Sequence, residues 1–194
     1  RRSLPSGMLQ NWPAGSPVTL HTLASLMISI SDNSATDMLL HVAGRENVER
    51  MMATIGVEAA ARNRPFPSTL EMFALKTASE AEQQAWAAGN EAERRRLLGT
   101  RYADVDPQRM DPAIFAGQPM RIAELEWFAS ASDLVRTMDW LRRNGDETAR
   151  AILAISPGGG PALRQDFAYI GYKGGSEPGV INLTWLVRNR AGMW

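Results

Sequence analysis

Apolar residues recur at helical spacing through residues 20–30 (Leu20, Leu23, Leu26, Met27, Ile30), and Ser31-Asp32-Asn33 stops the run. Period-two alternation of aromatic and β-branched residues appears at the far end, in residues 167–173 and 180–188. The chain therefore reads as helices followed by a β-hairpin. Thr19 is placed to cap the first helix. A second helix begins around Ser34 and ends at Gly44, and a third covers 46–55 and is closed by Gly56. Ahead of them, residues 1–17 form loop with a turn near Pro13-Ala14-Gly15.

Residues 62–68 carry Pro65 and Pro67 and read as loop, and 69–76 as a short helix capped by Ser68. Residues 78–98 are dense in Ala, Glu, Gln and Arg and are expected to form one solvated helix whose inward contacts are Trp86, Leu97 and Leu98. Three prolines make 102–119 a long connection, so 78–119 is expected to be a polar insertion. Ser132 is expected to cap a helix over 133–143. The cluster Pro157-Gly158-Gly159-Gly160-Pro161 lacks the lysine that a phosphate-cradling loop needs, and reads as a plain turn. In the hairpin, 174–179 is turn chemistry, and 189–192 is a further turn.

Composition narrows the function classes. At 194 residues, 44% apolar and 22% charged, the chain has the makeup of one globular domain. A net charge of zero offers no basic field for nucleic acid or an anionic membrane. No stretch approaches the apolar length of a membrane span, and no signal-peptide core opens the chain. The absence of cysteine excludes disulfides, zinc-thiolate sites and cysteine nucleophiles. His21 and His41 are isolated, so no metal site is expected; each reads as a helix-surface histidine.

What remains for chemistry is Ser31-Asp32-Asn33 together with Lys173-Gly174-Gly175-Ser176. Alone, either is weak, since Ser, Asp and Asn often satisfy backbone groups between two helices. In this order, one at a helix end and the other leaving a strand, they resemble the serine β-lactamase and penicillin-binding protein superfamily, in particular its class A-like branch. The stretch LPSGMLQNWPAGSPVTLHTLASLMISISDNSATDMLLHVAG resembles the segment bearing the family's Ser-Asp-Asn. WFASASDLVRTMDWL resembles the helix after the Ω-shaped loop, and YIGYKGGSEPGVINLTWLV the Lys-Thr-Gly strand and its neighbour.

The resemblance implies an α+β fold, a helical domain packed on an antiparallel sheet to which this chain gives the hairpin 167–188. It implies an acyl-enzyme mechanism without cofactor on a small-molecule amide or ester. In it Ser31 relays a proton to the leaving group, Lys173 supplies positive potential, and Asn33 donates to the substrate's acyl-side amide. Gly174, Gly175 and Ser176 line the substrate, with the Ser176 N–H as half of the oxyanion hole. Asp32 is structural.

Three departures accompany it. Gly174 replaces the motif's threonine, leaving Ser176 to compensate or the substrate without a carboxylate. The family's Glu-x-x-x-Asn is not recognisable; Glu71, Glu124 and Glu126 are candidates, each read more readily as an ion-pair carboxylate. Neither lysine, Lys76 or Lys173, has a serine three positions before it, so the Ser-x-x-Lys nucleophile is expected upstream of Arg1 and this stretch alone is expected to be inactive. A single domain truncated at both ends follows, its sheet completed by the rest of a longer enzyme, a second copy or another chain. Family habit points to a periplasmic or secreted location. β-Lactam hydrolysis leads, with a D-Ala-D-Ala peptidase or carboxylesterase, or a binding module without a nucleophile, as alternatives.

Overall fold

A computed structural model describes residues 2–3, 5–107, 110, 117–159 and 162–194. Helices α1 (Leu20–Ser29), α2 (Asn33–Ala43) and α3 (Arg45–Ile55) follow one another with almost no linker. Each boundary has a local cause. Thr19 accepts from Thr22 N at the start of α1, Asp32 from Ala35 N at the start of α2, and Gly56 closes α3 in the left-handed conformation. After a 3-10 segment at Glu58–Asn63, α4 (Thr69–Lys76) starts at a reciprocal capping box between Ser68 and Glu71.

The expected single helix over 78–98 is in fact two, α5 (Glu80–Ala88) and α6 (Glu91–Thr100). Gly89-Asn90 breaks it, because Asn90 and Glu93 form a new capping box that competes with helix continuation. Nor is the pair only solvated. Trp86 and Leu98 are buried in the largest apolar cluster, with Met72, Leu75, Tyr102 and Leu125. Fully burying a side chain such as Leu75 or Leu125 contributes about 2 kcal/mol each. The connection expected over 102–119 lies partly outside the described residues.

Helix α7 (Ala131–Asn144) is capped by Ser130 rather than Ser132, because Asp133 at the third helical position completes the box. Helix α8 (Glu147–Leu153), capped by Asp146, was not anticipated; its short apolar stripe merged with the turn that follows. Gly158 and Gly159 do adopt the positive φ of a turn. A short helix, α9 (Leu163–Asp166), leads into the sheet.

Strand β1 (Phe167–Glu177) pairs antiparallel with β2 (Val180–Asn189), setting Lys173 opposite Thr184 and Gly174 opposite Leu183. The connection is tighter than expected. Gly174, Gly175, Ser176 and Glu177 stay in the ladder, and Pro178-Gly179 alone turns the chain, with Gly179 at φ 82°. Alternation gives the sheet two faces. Tyr169 and Leu186 pack toward the helices with Met138 and Leu153, and Lys173 and Glu177 share that face. On the other face Tyr172 stacks on Trp185, at 5.1 Å between ring centroids, while Ile181 and Leu183 are 76% and 52% exposed. Among the described residues no helix is long and apolar enough to cross a membrane.

Candidate active site

The site is built around Asp32. Its carboxylate is fully buried and accepts from three backbone N–H groups: Met8 at 2.7 Å, Leu9 at 2.9 Å and Ala35 at 2.9 Å. One side chain thus ties the N-terminal loop to the first turn of α2. Gly7 is required for that approach. Its φ is 112°, and a Cβ there would press into the Asp32 carboxyl and lie 2.7 Å from its Cα. Asn33 N donates to Ser6 O at 3.1 Å, extending the wrap.

Asp37, about one turn along α2, holds α4 in the same manner, accepting from Thr69 N at 2.6 Å and Leu70 N at 3.0 Å, and from Ser3 Oγ at 2.6 Å. The Ser-Asp-Asn-Ser-Ala-Thr-Asp run therefore anchors two neighbouring segments through its two aspartates. Sequence reasoning gave Asp37 no role, although its spacing on the helix that Asp32 caps was the available signal.

Between the end of α1 and Asp32, Ser31 sits at φ 52°, a left-handed conformation uncommon for a serine. The turn projects its hydroxyl toward β1, where Lys173 Nζ donates to Ser31 Oγ at 2.5 Å and also to Gly174 O. These two residues are 142 apart in the chain. Burial lowers the Lys173 pKa from its usual 10.5, since a half-desolvated ammonium releases its proton more readily. The pair therefore sets an oriented hydroxyl beside a positive charge.

The bare position at Gly174 is occupied from elsewhere. A Cβ there would run into the Tyr172 hydroxyl, with Tyr172 Cζ at 2.9 Å and Asn182 O at 3.3 Å. The phenol thus fills the volume that a side chain at 174 would take. Gly174→Thr is expected to destabilise the protein by about 1–3 kcal/mol through overpacking. Adding Tyr172→Ala should shrink that increment, which a double-mutant cycle by thermal unfolding measures. At Gly175 an added Cβ meets nothing within 4 Å, and Ser176 is exposed.

The three candidate glutamates separate. Glu71 is spent on the Ser68 box and on Arg45, whose Nη2 donates to both of its carboxylate oxygens at 2.7 and 2.9 Å. Glu124 is 48% exposed and pairs with Arg121. Glu126 turns inward to Lys76, beside Glu177 at the end of β1. His21 and His41 are exposed on α1 and α2. Among the described residues no group of three or more His, Asp or Glu is placed to hold a metal ion.

The chain is similar in fold to the crystal structure of a β-lactamase from Sphaerobacter thermophilus DSM 20745, at 21% identity and a TM-score of 0.55. That similarity covers 98% of this chain and 57% of the other, so the chain spans little more than half the length of that enzyme. No curated protein matches it. Residues 2–176, which include both motifs, match the sequence profile of the Beta-lactamase enzyme family. Because that match runs over most of the chain, the chain belongs to the β-lactamase enzyme family.

Proposed function

We propose that this chain supplies the proton-relay and substrate-binding half of a β-lactamase-like serine hydrolase, with the nucleophilic serine outside these residues. The observation that carries the reading is the 2.5 Å contact between Lys173 Nζ and Ser31 Oγ. In the proposed reaction the nucleophile's oxygen bonds to the substrate carbonyl carbon and the C–N bond of a β-lactam then breaks. Ser31 passes a proton to the departing nitrogen and is re-protonated from the nucleophile's side, a transfer that a positioned hydroxyl shortens. Lys173 keeps the hydroxyl aimed and stabilises negative charge on the substrate. Asn33 donates to the acyl side chain, and the Ser176 N–H receives the oxyanion. Water then hydrolyses the ester.

Gly174 and the phenol over it favour a second substrate within the same chemistry. Without the threonine hydroxyl, a carboxylate-free ester fits this strand as well as a β-lactam, so a carboxylesterase is the runner-up. Mass spectrometry of the full-length protein after incubation with benzylpenicillin and, separately, a fluorophosphonate tests both readings. An adduct with each supports β-lactam acylation, and one with the fluorophosphonate alone favours the esterase. No adduct with either, despite measurable affinity for benzylpenicillin, would leave a binding module. Residues 1–194 by themselves are expected to stay unmodified.

A further inference from the structure

Lys76 ends α4, Glu126 lies just before α7, and Glu177 is the last residue of β1, yet their side chains meet in one nearly enclosed cluster. They are 5%, 12% and 18% exposed. The Lys76 ammonium bonds to Glu126 Oε1 and to Glu177 Oε2. One cation therefore faces two carboxylates where water is largely excluded. With both ionised the cluster carries a net negative charge that burial penalises; with one proton kept between the carboxyls it is neutral.

Two observations support the retained proton. Glu177 Oε1 is buried with no hydrogen-bond partner among the described residues, and a proton shared with Glu126, which meets Glu177 at the same ammonium and whose Oε2 accepts from Trp127 N at 3.3 Å, would satisfy it. The Glu126 pKa is also pushed up to about 7, first by burial and then by its hydrogen bond to Glu177, against the lowering effect of Lys76.

Neighbouring polar groups are committed elsewhere. Gln83 on α5 donates to the Lys76 backbone carbonyl and accepts from Arg121 Nε. Arg121 pairs with Glu124 and Glu80, and Glu71 on α4 with Arg45. On β2 the residue opposite Glu177 is Val180, which brings no charge.

The position of the cluster gives it a consequence. Lys173 and Glu177 lie on one face of β1, about 13 Å apart at 3.3 Å per residue. Between them Gly175, the intervening residue on that face, offers no side chain to hold the strand against the helices. Beyond Tyr169, that face of the strand is thus held by Ser31 at Lys173 and by Lys76 and Glu126 at Glu177.

We propose that Lys76, Glu126 and Glu177 form a proton-sharing clamp that fixes the end of β1, and with it the Ser176 N–H, against the helical layer. The three are positioning residues for the acyl transfer, a part of the inference that rests on the function proposed above. The sign of the pH dependence follows. Glu126 holds its proton in the folded protein up to about pH 7, whereas an unfolded chain releases it near 4.5. Folding therefore retains a proton between those values; the clamp's contribution is full on the acid side, falls as pH rises toward 7 and is constant beyond.

The test uses the full-length protein and Glu126→Gln, which keeps a neutral donor at every pH. Thermal midpoints measured from pH 4.5 to 8 are expected to show the wild type losing stability relative to the variant up to pH 7, then running parallel. Parallel curves throughout would overturn the clamp. The acylation rate with benzylpenicillin, taken as the ratio of wild type to variant, should fall roughly tenfold between pH 5 and 7.5 if clamp closure is coupled to at least one pKa unit. A flat ratio would overturn the positioning role. Absence of any acyl adduct would instead sink the hydrolase reading, and the midpoints would still decide the clamp. Should the variant fail to fold, the carboxyl carbon shift of Glu126 in the wild type decides: titration near pH 7 supports the clamp and titration near 4.5 overturns it.

Discussion

Lys173→Ala in the full-length protein is expected to lower the rate of acylation by benzylpenicillin by about 10²–10³-fold, the scale of losing one preorganised electrostatic group. The thermal midpoint should stay within a few degrees. The asymmetry follows from where the lysine spends its interactions. Its ammonium bonds a serine hydroxyl and one carbonyl, and burial already works against its charged form. Removing it relieves a desolvated charge, so the fold loses little. The reaction loses the group that aims Ser31 and meets negative charge on the substrate. Because burial lowers its pKa, the alkaline limb of the wild-type rate should begin below the 10.5 of an ordinary lysine. An unchanged rate in Lys173→Ala would remove Lys173 from the mechanism.

The helices around Ser31 were legible because local chemistry decides them. Thr19, Gly44, Gly56 and Ser68 each stop or start an element through a cap that a few neighbouring residues specify. The hairpin was legible from alternation, although its turn was not. Glycines at 174 and 175 look like turn residues in sequence, but they remain paired in the ladder. The division of 78–98 into two helices was missed because strong helix formers on both sides masked the competing cap at Asn90. At the site, Ser31 and Lys173 were chosen by resemblance, not by spacing. The grouping of Lys76, Glu126 and Glu177 left no trace in the sequence, since Lys76 and Glu177 stand 101 residues apart and nothing local links them. The Tyr172 hydroxyl over Gly174 was equally hidden, because only the strand geometry brings residues two apart into that relation.

Asp32→Ala should behave in the opposite way to Lys173→Ala, with a large loss of stability and the loss of rate following from it. Three backbone N–H groups from two separate segments point at one fully buried carboxylate. Alanine leaves all three without an acceptor, and each buried unsatisfied group costs about 1–3 kcal/mol before relaxation. A net loss of about 4 kcal/mol is therefore expected, a large share of the 5–15 kcal/mol that typically holds a domain folded. Asp32→Asn should cost less, since its one remaining carbonyl oxygen can still cap α2 while its amide faces the Met8 and Leu9 donors unfavourably. Gly7, placed against that carboxyl, offers no side chain to fill the cavity. The same loss reaches the chemistry, because the buried carboxylate holds the turn on which Ser31 keeps its φ of 52° and its contact with Lys173. Urea unfolding of the full-length protein measures the effect, and a change below about 1 kcal/mol, the scale of a single ordinary hydrogen bond, would show that Asp32 does not hold the site together.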